Sequence, residues 1–248
     1  MGDPCGSDRA PPPAPVSGWG LLVVYAGAQV GAMVLVALAT APYQPAVAAA
    51  RSLLAVRLTY LLSPAVLLAA GMLGVRRGQP SAPTTRLARW PGAVAMLAGV
   101  GAGLLLRVAG DLIAVGEQAF AGPIAGNNPL TLYPHAFPTA MARVLLVVSV
   151  GILAPAGEEL FFRGLLFGWL RQRMGSWPAV VLGGAFFGLA HVDPASGGSL
   201  LRTLPLALPM ACIGAGLCLL YDRYRTLWVS TAAHAALNLT AMALVLGA

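Results

Sequence analysis

Two adjacent carboxylates and one guanidinium lie inside an apolar part of the chain, in the sequence GEELFFRG of residues 157–164. The residues before it (144–156) and after it (165–170) are all apolar or small. A charged side chain near the middle of a membrane costs about 2.5–3.5 kcal/mol on insertion scales. Three such side chains in six residues therefore indicate a functional site that faces a bundle interior or a water-filled cavity.

Helical spacing separates the roles of these three charges. Glu159 and Arg163 are four residues apart, so they share a helix face and can form an ion pair. Glu158 lies about 100° further round the same helix. We therefore expect Glu158 to be the carboxylate that is left free for proton transfer.

Two later apolar segments each contain a histidine at helical spacing from a second notable residue. FFGLAH places Phe187 one turn before His191, and HAALN places His234 one turn before Asn238. Small residues that allow helices to approach closely accompany these segments, in the GxxxG pairs Gly164/Gly168 and Gly184/Gly188. We predict that three helices meet around one polar cluster, formed by Glu158, Glu159, His191, His234 and Asn238.

Each of these features taken singly has an ordinary structural explanation. A buried histidine is usually a hydrogen-bonded core residue, an asparagine can join two helices, and a Glu–Arg pair is usually a structural tie. The functional interpretation depends on their combination, because nearly every polar residue that membrane insertion leaves unexplained lies in these three segments.

The motifs EExxxR (Glu158, Glu159, Arg163), FxxxH (Phe187, His191) and HxxxN (His234, Asn238) resemble, in this order, those of a known family. It is the CAAX protease and bacteriocin-processing family, also called the Abi or CPBP intramembrane proteases. The resemblance covers about residues 140–248 and implies hydrolysis of a peptide bond in a membrane-associated protein or peptide. The best-known members cleave prenylated CAAX proteins, so a lipidated substrate is one expectation.

The resemblance also implies a role for each site residue. Glu158 would activate a water molecule, and His191 would help to hold it. His234 and Asn238 would donate hydrogen bonds to the oxyanion, while Arg163 would neutralise and orient Glu159. We identify no serine or cysteine at helical spacing from a histidine of the cluster, so we do not expect covalent catalysis.

Metal dependence is left open by the residue types. Glu158, His191 and His234 could together bind zinc with one position open. The HExxH helix of ordinary zinc proteases is absent. We expect no tightly bound metal and no other cofactor.

Two functions of other classes also fit intramembrane glutamate and histidine. A proton-coupled transporter uses such residues as a relay, but it would be expected to show internal repeats, and we find none. A non-catalytic immunity or accessory scaffold could share the fold, but it would be expected to lose a catalytic position.

The composition indicates an all-α, polytopic transmembrane helix bundle. The 248 residues are 58% hydrophobic and 9% charged, against about 25% charged residues in soluble domains. The net charge of +7 comes from 15 arginines, placed singly or in pairs between apolar runs. This placement is typical of loops at the cytoplasmic face of a membrane, so we expect contact with lipids and no binding of nucleic acid.

Hydropathy predicts about seven spans, at residues 19–41, 58–75, 90–113, 140–170, 178–192, 204–221 and 227–246. If Pro155 splits the fourth segment, there are eight. The loop arginines favour seven spans with a cytoplasmic N-terminus, in a membrane that we expect to be the bacterial plasma membrane. Residues 116–139 are predicted to form an irregular outer loop.

The chain is predicted to form one transmembrane domain over residues 18–248, after a disordered, proline-rich tail at residues 1–17. This tail lacks the apolar core of a signal peptide. The three cysteines Cys5, Cys212 and Cys218 are not expected to form a disulfide.

Overall fold

The structure is a computed structural model that describes residues 18–40, 48–78, 90–121, 129–132, 135–192 and 200–247. The predicted tail at residues 1–17 and Cys5 lie outside these ranges. Within them the chain forms helices and no strands, which confirms the all-α prediction. The helices are α1 (Gly18–Thr40), α2 (Ala48–Gly78), α3 (Ala93–Ala121), α4 (Pro129–Leu132), α5 (Ala140–Arg173), α6 (Ser176–Ala190), α7 (Leu200–Tyr224) and α8 (Leu227–Leu246).

Four stretches are long and apolar enough to cross a membrane, at Leu54–Leu73, Ala93–Ala119, Ala140–Arg173 and Leu227–Leu246. Two shorter apolar helical stretches lie at Tyr25–Val36 and Ser176–Ala190. The chain is therefore an integral membrane protein, as its composition predicts. The count of seven spans stays a prediction.

Helix α5 is one continuous helical segment of 34 residues. The alternative of eight spans, in which Pro155 divides this segment into two crossings, is therefore wrong. Pro155 lies at the start of the α-helical stretch Ala154–Glu159, which has π-helical turns on both sides, at Ser149–Leu153 and Leu160–Phe167. These wider turns accommodate the missing N–H of proline without ending the helix.

The boundaries of two other helices differ from the prediction. Helix α2 begins at Ala48, so Arg57 lies within it rather than before it, and its side chain donates to the carbonyl of Ala136. Helix α3 continues to Ala121, so the predicted irregular loop begins as helix, and it also includes the short α4. Both extensions are rich in alanine, which has the highest helix propensity.

Glycine determines where helices approach most closely. A Cβ added to Gly184 of α6 would lie 2.6 Å from a backbone oxygen of α7, and one added to Gly188 would lie 2.3 Å from another. These distances confirm the predicted packing role of the pair. The nearest atoms to a Cβ added at Gly164 are 3.6 Å away, so the pair Gly164/Gly168 marks no close helix contact. Gly103 of α3, which the sequence analysis overlooks, would place a Cβ 2.0 Å from the Ala233 oxygen of α8.

The two cysteines that the structure describes are unpaired. Cys218 is fully buried in the main hydrophobic core, while Cys212, on the same helix, is exposed. The two residues therefore lie on different faces of α7.

The ends of three helices are joined at one end of the bundle. Asp222, near the end of α7, accepts a hydrogen bond from Ser176 at the start of α6 at 2.5 Å. The same carboxylate lies 3.4 Å from Arg171 at the end of α5. Arg225, just after α7, lies 3.3 Å from this carboxylate too, so the two arginines share one end of the molecule.

Substituting Gly103 with alanine should lower the melting temperature of the protein in detergent, because the new Cβ would press on the backbone of α8 one residue before His234. The matched control is Gly101→Ala on the same helix, where an added Cβ would meet nothing within 4 Å. That change should leave stability unchanged or raise it by up to about 1 kcal/mol. Equal melting temperatures for the two variants would contradict this description of the α3–α8 contact.

Candidate active site

The predicted polar cluster is present inside the bundle, where α5, α6 and α8 meet. Helix α5 supplies Glu158, Glu159 and Arg163, His191 follows the last residue of α6, and His234 lies within α8. The side chains of Glu159 and Arg163 are fully buried, with 0% exposure. Glu158 and His191 keep 21% and 22% of their side-chain surface exposed. The cluster thus has a closed part and an accessible part.

Glu159 is the centre of the closed part. Its Oε1 lies 2.8 Å from NH1 of Arg163, which is the ion pair that the i, i+4 spacing predicts. The same oxygen lies 2.9 Å from Nδ1 of His234. The contact with His234 was not predicted, because the resemblance gives that residue a role at the oxyanion. A carboxylate buried away from water requires such partners to stay charged.

Arg163 is held by groups from two further helices. Its NH2 donates to the carbonyl oxygen of Gly214 on α7 at 3.0 Å. Its Cζ lies 4.6 Å from the ring centroid of Phe187 on α6, which is a cation–π distance. Arg163 therefore links α5 to both α6 and α7, and Gly214 joins the site through a backbone atom.

Glu158 faces both histidines. Its Oε2 lies 3.8 Å from Nε2 of His234 and 3.9 Å from Nε2 of His191. Both distances are too long for a direct hydrogen bond and leave room for one small group between the three atoms. Oε2 has no hydrogen-bond partner among the described residues.

The ring orientation of each histidine is fixed by the partner of its Nδ1. In His191, Nδ1 lies 2.8 Å from the carbonyl oxygen of Phe187, an acceptor that requires the proton on Nδ1. In His234, Nδ1 faces the Glu159 carboxylate, which has the same requirement. In the neutral form both rings therefore present a bare Nε2, with its lone pair, toward Glu158.

Two structural features give His191 its position. The prediction placed it inside a span ending at residue 192, but α6 ends at Ala190 and His191 caps it. Its ring lies against Phe187, with centroids 4.5 Å apart, as the FxxxH spacing predicts. Leaving the helix lets the ring turn toward Glu158 instead of along the surface of α6.

The space between Glu158, His191 and His234 is lined by three hydrogen-bond acceptors. A water molecule placed there can donate hydrogen bonds to two of these acceptors at a time. A tetrahedral zinc ion with bonds of about 2.1 Å would need its ligand atoms about 3.4 Å apart. The two separations from Glu158 exceed that value, and the described residues contain no group of three metal-ligating side chains with suitable geometry. The arrangement fits water better than zinc.

Asn238 is engaged with the backbone of α5. Its Nδ2 donates to the carbonyl oxygen of Val150 at 2.8 Å, within the first π-helical turn. One of its two N–H groups is therefore committed to joining α8 and α5. Its predicted role as an oxyanion donor stays a prediction that depends on the other N–H.

Ser230 lies one turn before His234 on α8, so the expectation that no serine lies at helical spacing from a histidine of the cluster is wrong. Its buried hydroxyl donates to the carbonyl oxygen of Leu227 at 3.2 Å. Since both nitrogens of His234 face glutamates, this ring is not placed to activate the serine.

Comparison with known proteins identifies the segment that carries this site. Residues 140–240 match the family model described as "Type II CAAX prenyl endopeptidase Rce1-like". This segment belongs to the CAAX protease family. The CAAX protease segment contains all six predicted site residues, whereas α1, α2 and α3 precede it.

A curated relative supports the same family. The chain is 27% identical over 144 residues to the protein named "Putative membrane peptidase YdiL" of Bacillus subtilis (strain 168), an alignment covering 56% of this chain. The chain spans about half of that relative, since the aligned part is 55% of its length. No solved structure matches the chain at the same level of significance.

Replacing Arg163 with methionine should destabilise the CAAX protease segment by roughly 3–5 kcal/mol, because a buried carboxylate loses its main countercharge. The variant Glu159→Gln should also be destabilised. The double variant should lose less than the sum of the two, since neither charge is then left alone. The free energies of unfolding in detergent test this prediction.

The matched control for this double-mutant cycle of Arg163 and Glu159 is Arg173→Met, on the same helix. Arg173 is exposed and stacks on Trp169, so its loss should cost no more than about 1 kcal/mol. Equal effects of Arg163→Met and Arg173→Met, or fully additive effects in the cycle, would contradict the buried ion pair.

Proposed function

We propose that the chain is an intramembrane endopeptidase that hydrolyses a peptide bond of a membrane-associated protein or peptide, with Glu158 activating the water. The observation that carries this proposal is the position of Glu158 Oε2, 3.8 Å and 3.9 Å from two histidine nitrogens that both offer lone pairs. A water molecule held there contacts Glu158, the general base, and is oriented for attack on a carbonyl carbon. The family of the segment supports the same reaction.

The reaction proceeds by addition and elimination at the peptide carbonyl. Glu158 takes one proton from the water while the water oxygen forms a bond with the carbonyl carbon. The electron pair of the carbonyl double bond moves to the carbonyl oxygen, which becomes an oxyanion. The oxyanion then re-forms the carbonyl as the bond from carbon to nitrogen breaks. The proton on Glu158 passes to the departing amine, so the carboxylate is restored.

The two histidines orient the water in this mechanism. The Nε2 of His191 accepts a hydrogen bond from the proton that stays on the water, which turns an oxygen lone pair toward the substrate. The Nε2 of His234 lies on the other side of Glu158 and is kept in place by Glu159. His234 thereby connects the structural ion pair to the reacting group.

Glu159 does not serve as the base in this proposal. Its Oε1 already binds Arg163 and His234, and the side chain is fully buried. A carboxylate with two charged or polar partners is a weak proton acceptor, because the partners favour its ionised form. Glu158 is partly exposed, so a water molecule can reach it, and it meets the requirements of a general base.

We propose that the reaction needs no tightly bound metal, because the two separations from Glu158 suit a water molecule. We also propose a substrate held at the membrane, including lipidated peptides, since the site lies within apolar helices. We further propose that the shared end of α5, α6 and α7, which carries arginines, faces the cytoplasm from a plasma membrane.

Purified protein in detergent or liposomes should cleave members of a membrane-tethered peptide library that contains lipidated and unlipidated peptides. Glu158→Gln should reduce the rate by about 10²–10⁴-fold, because the general base is lost. His191→Ala should also lower it strongly. The matched control His135→Ala removes an exposed histidine outside the cluster and should retain the rate.

Mass spectrometry of the products measures these rates and gives the position of the cleaved bond. Full activity in Glu158→Gln or His191→Ala would refute the mechanism. Loss of activity with a chelator, restored by zinc, would contradict the proposal on metal.

A further inference from the structure

Helix α1, which precedes the CAAX protease segment, reaches the site through Tyr25. The Tyr25 ring lies 4.9 Å from the ring of Phe161 and 5.7 Å from that of Phe162. These two residues lie three and four positions after Glu158, on the adjoining turn of α5. Residues three and four apart share a helix face, so these two rings lie on the same face of α5 as Glu158. Tyr25 therefore forms a wall of the site that the family motifs do not include.

A chain of polar groups orients the Tyr25 phenol. Ser63 of α2 donates its hydroxyl to Oε1 of Gln29 at 3.5 Å, and Gln29 hydrogen-bonds with Tyr25. With Oε1 accepting from Ser63, an amide N–H of Gln29 would be the donor to the phenol oxygen. The phenol oxygen then acts as an acceptor in this pair, and its own O–H is left to donate elsewhere.

The proposed hydrolysis lacks a full set of donors for the oxyanion. His234 and Asn238 are the donors that the resemblance implies, but Nδ1 of His234 binds Glu159 and one N–H of Asn238 binds Val150. The bare Nε2 of neutral His234 cannot donate. Sites that stabilise an oxyanion commonly use two donors or more. One N–H of Asn238 leaves at least one such position unfilled.

We infer that Tyr25 is a further catalytic residue, whose phenol O–H donates a hydrogen bond to the substrate carbonyl oxygen as that oxygen becomes negative. This inference rests on the proposed peptide hydrolysis. Gln29 and Ser63 are positioning residues that act through Tyr25. Helix α1 thus completes a site whose other residues come from α5, α6 and α8.

The decisive variant is Tyr25→Phe, which removes the hydroxyl and keeps the ring against Phe161 and Phe162. Its kcat should fall by about 10²–10³-fold with little change in KM, because the donor acts mainly in the transition state. Its melting temperature should be unchanged. The matched control Tyr60→Phe, whose ring packs against Phe137 instead, should retain full activity.

Gln29→Leu tests the series of hydrogen bonds from Ser63 through Gln29 to Tyr25. It should reduce kcat less than Tyr25→Phe does, since the hydroxyl remains but loses its orientation. The double variant should be no slower than Tyr25→Phe alone, because both changes act through one hydrogen bond. Additive losses would contradict the proposed chain.

The outcomes for Tyr25 and for the proposed function can be told apart. Full activity in Tyr25→Phe, with Glu158→Gln inactive, would overturn the role of Tyr25 and leave the proposed function intact.

If the wild type cleaves no peptide, the proposed hydrolysis fails, and infrared spectroscopy decides the placement of Tyr25. The Tyr25 ring band, identified by subtracting the Tyr25→Phe spectrum, should shift when Glu158 is titrated and stay constant in Glu158→Gln. A band that does not shift in the wild type would overturn the placement.

Discussion

The fully buried carboxylate of Glu159 is the constraint on which the rest of the site depends. An ionised group inside an apolar bundle is tolerated only when other groups neutralise it and satisfy its hydrogen bonds. Arg163 and His234 are the partners of its Oε1, and Arg163 in turn contacts the Gly214 carbonyl and the face of Phe187. One charge therefore determines how α5, α6, α7 and α8 are arranged.

That arrangement separates two neighbouring glutamates into different tasks. In the closed part of the cluster, Oε1 of Glu159 accepts a hydrogen bond from Nδ1 of His234, and this hydrogen bond fixes the tautomer of the ring. The opposite nitrogen of the same ring then points toward Glu158, in the accessible part. His234 thus couples the stability of the bundle to the geometry of the reacting group.

Much of this site follows from spacing within single helices, and less of it from contacts between them. The Glu159–Arg163 pair and the Phe187–His191 contact are predictable because i, i+4 neighbours meet on any helix. The Gly214 acceptor could not be predicted, since every residue has a carbonyl. The contact of Tyr25 with α5 depends on how two distant helices pack. The continuity of α5 past Pro155 depends on π-helical turns that leave no clear signal in hydropathy.

The central claim is that Glu158 acts on water rather than on the peptide itself. A single turnover in water enriched in ¹⁸O, with enzyme in excess over substrate, tests it most directly. The account predicts that the new carboxyl group of the product carries one ¹⁸O in the first turnover, while Glu158, isolated in a proteolytic fragment, carries none. A first-turnover product with only ¹⁶O, together with ¹⁸O in Glu158, would show direct attack by the carboxylate and contradict the account.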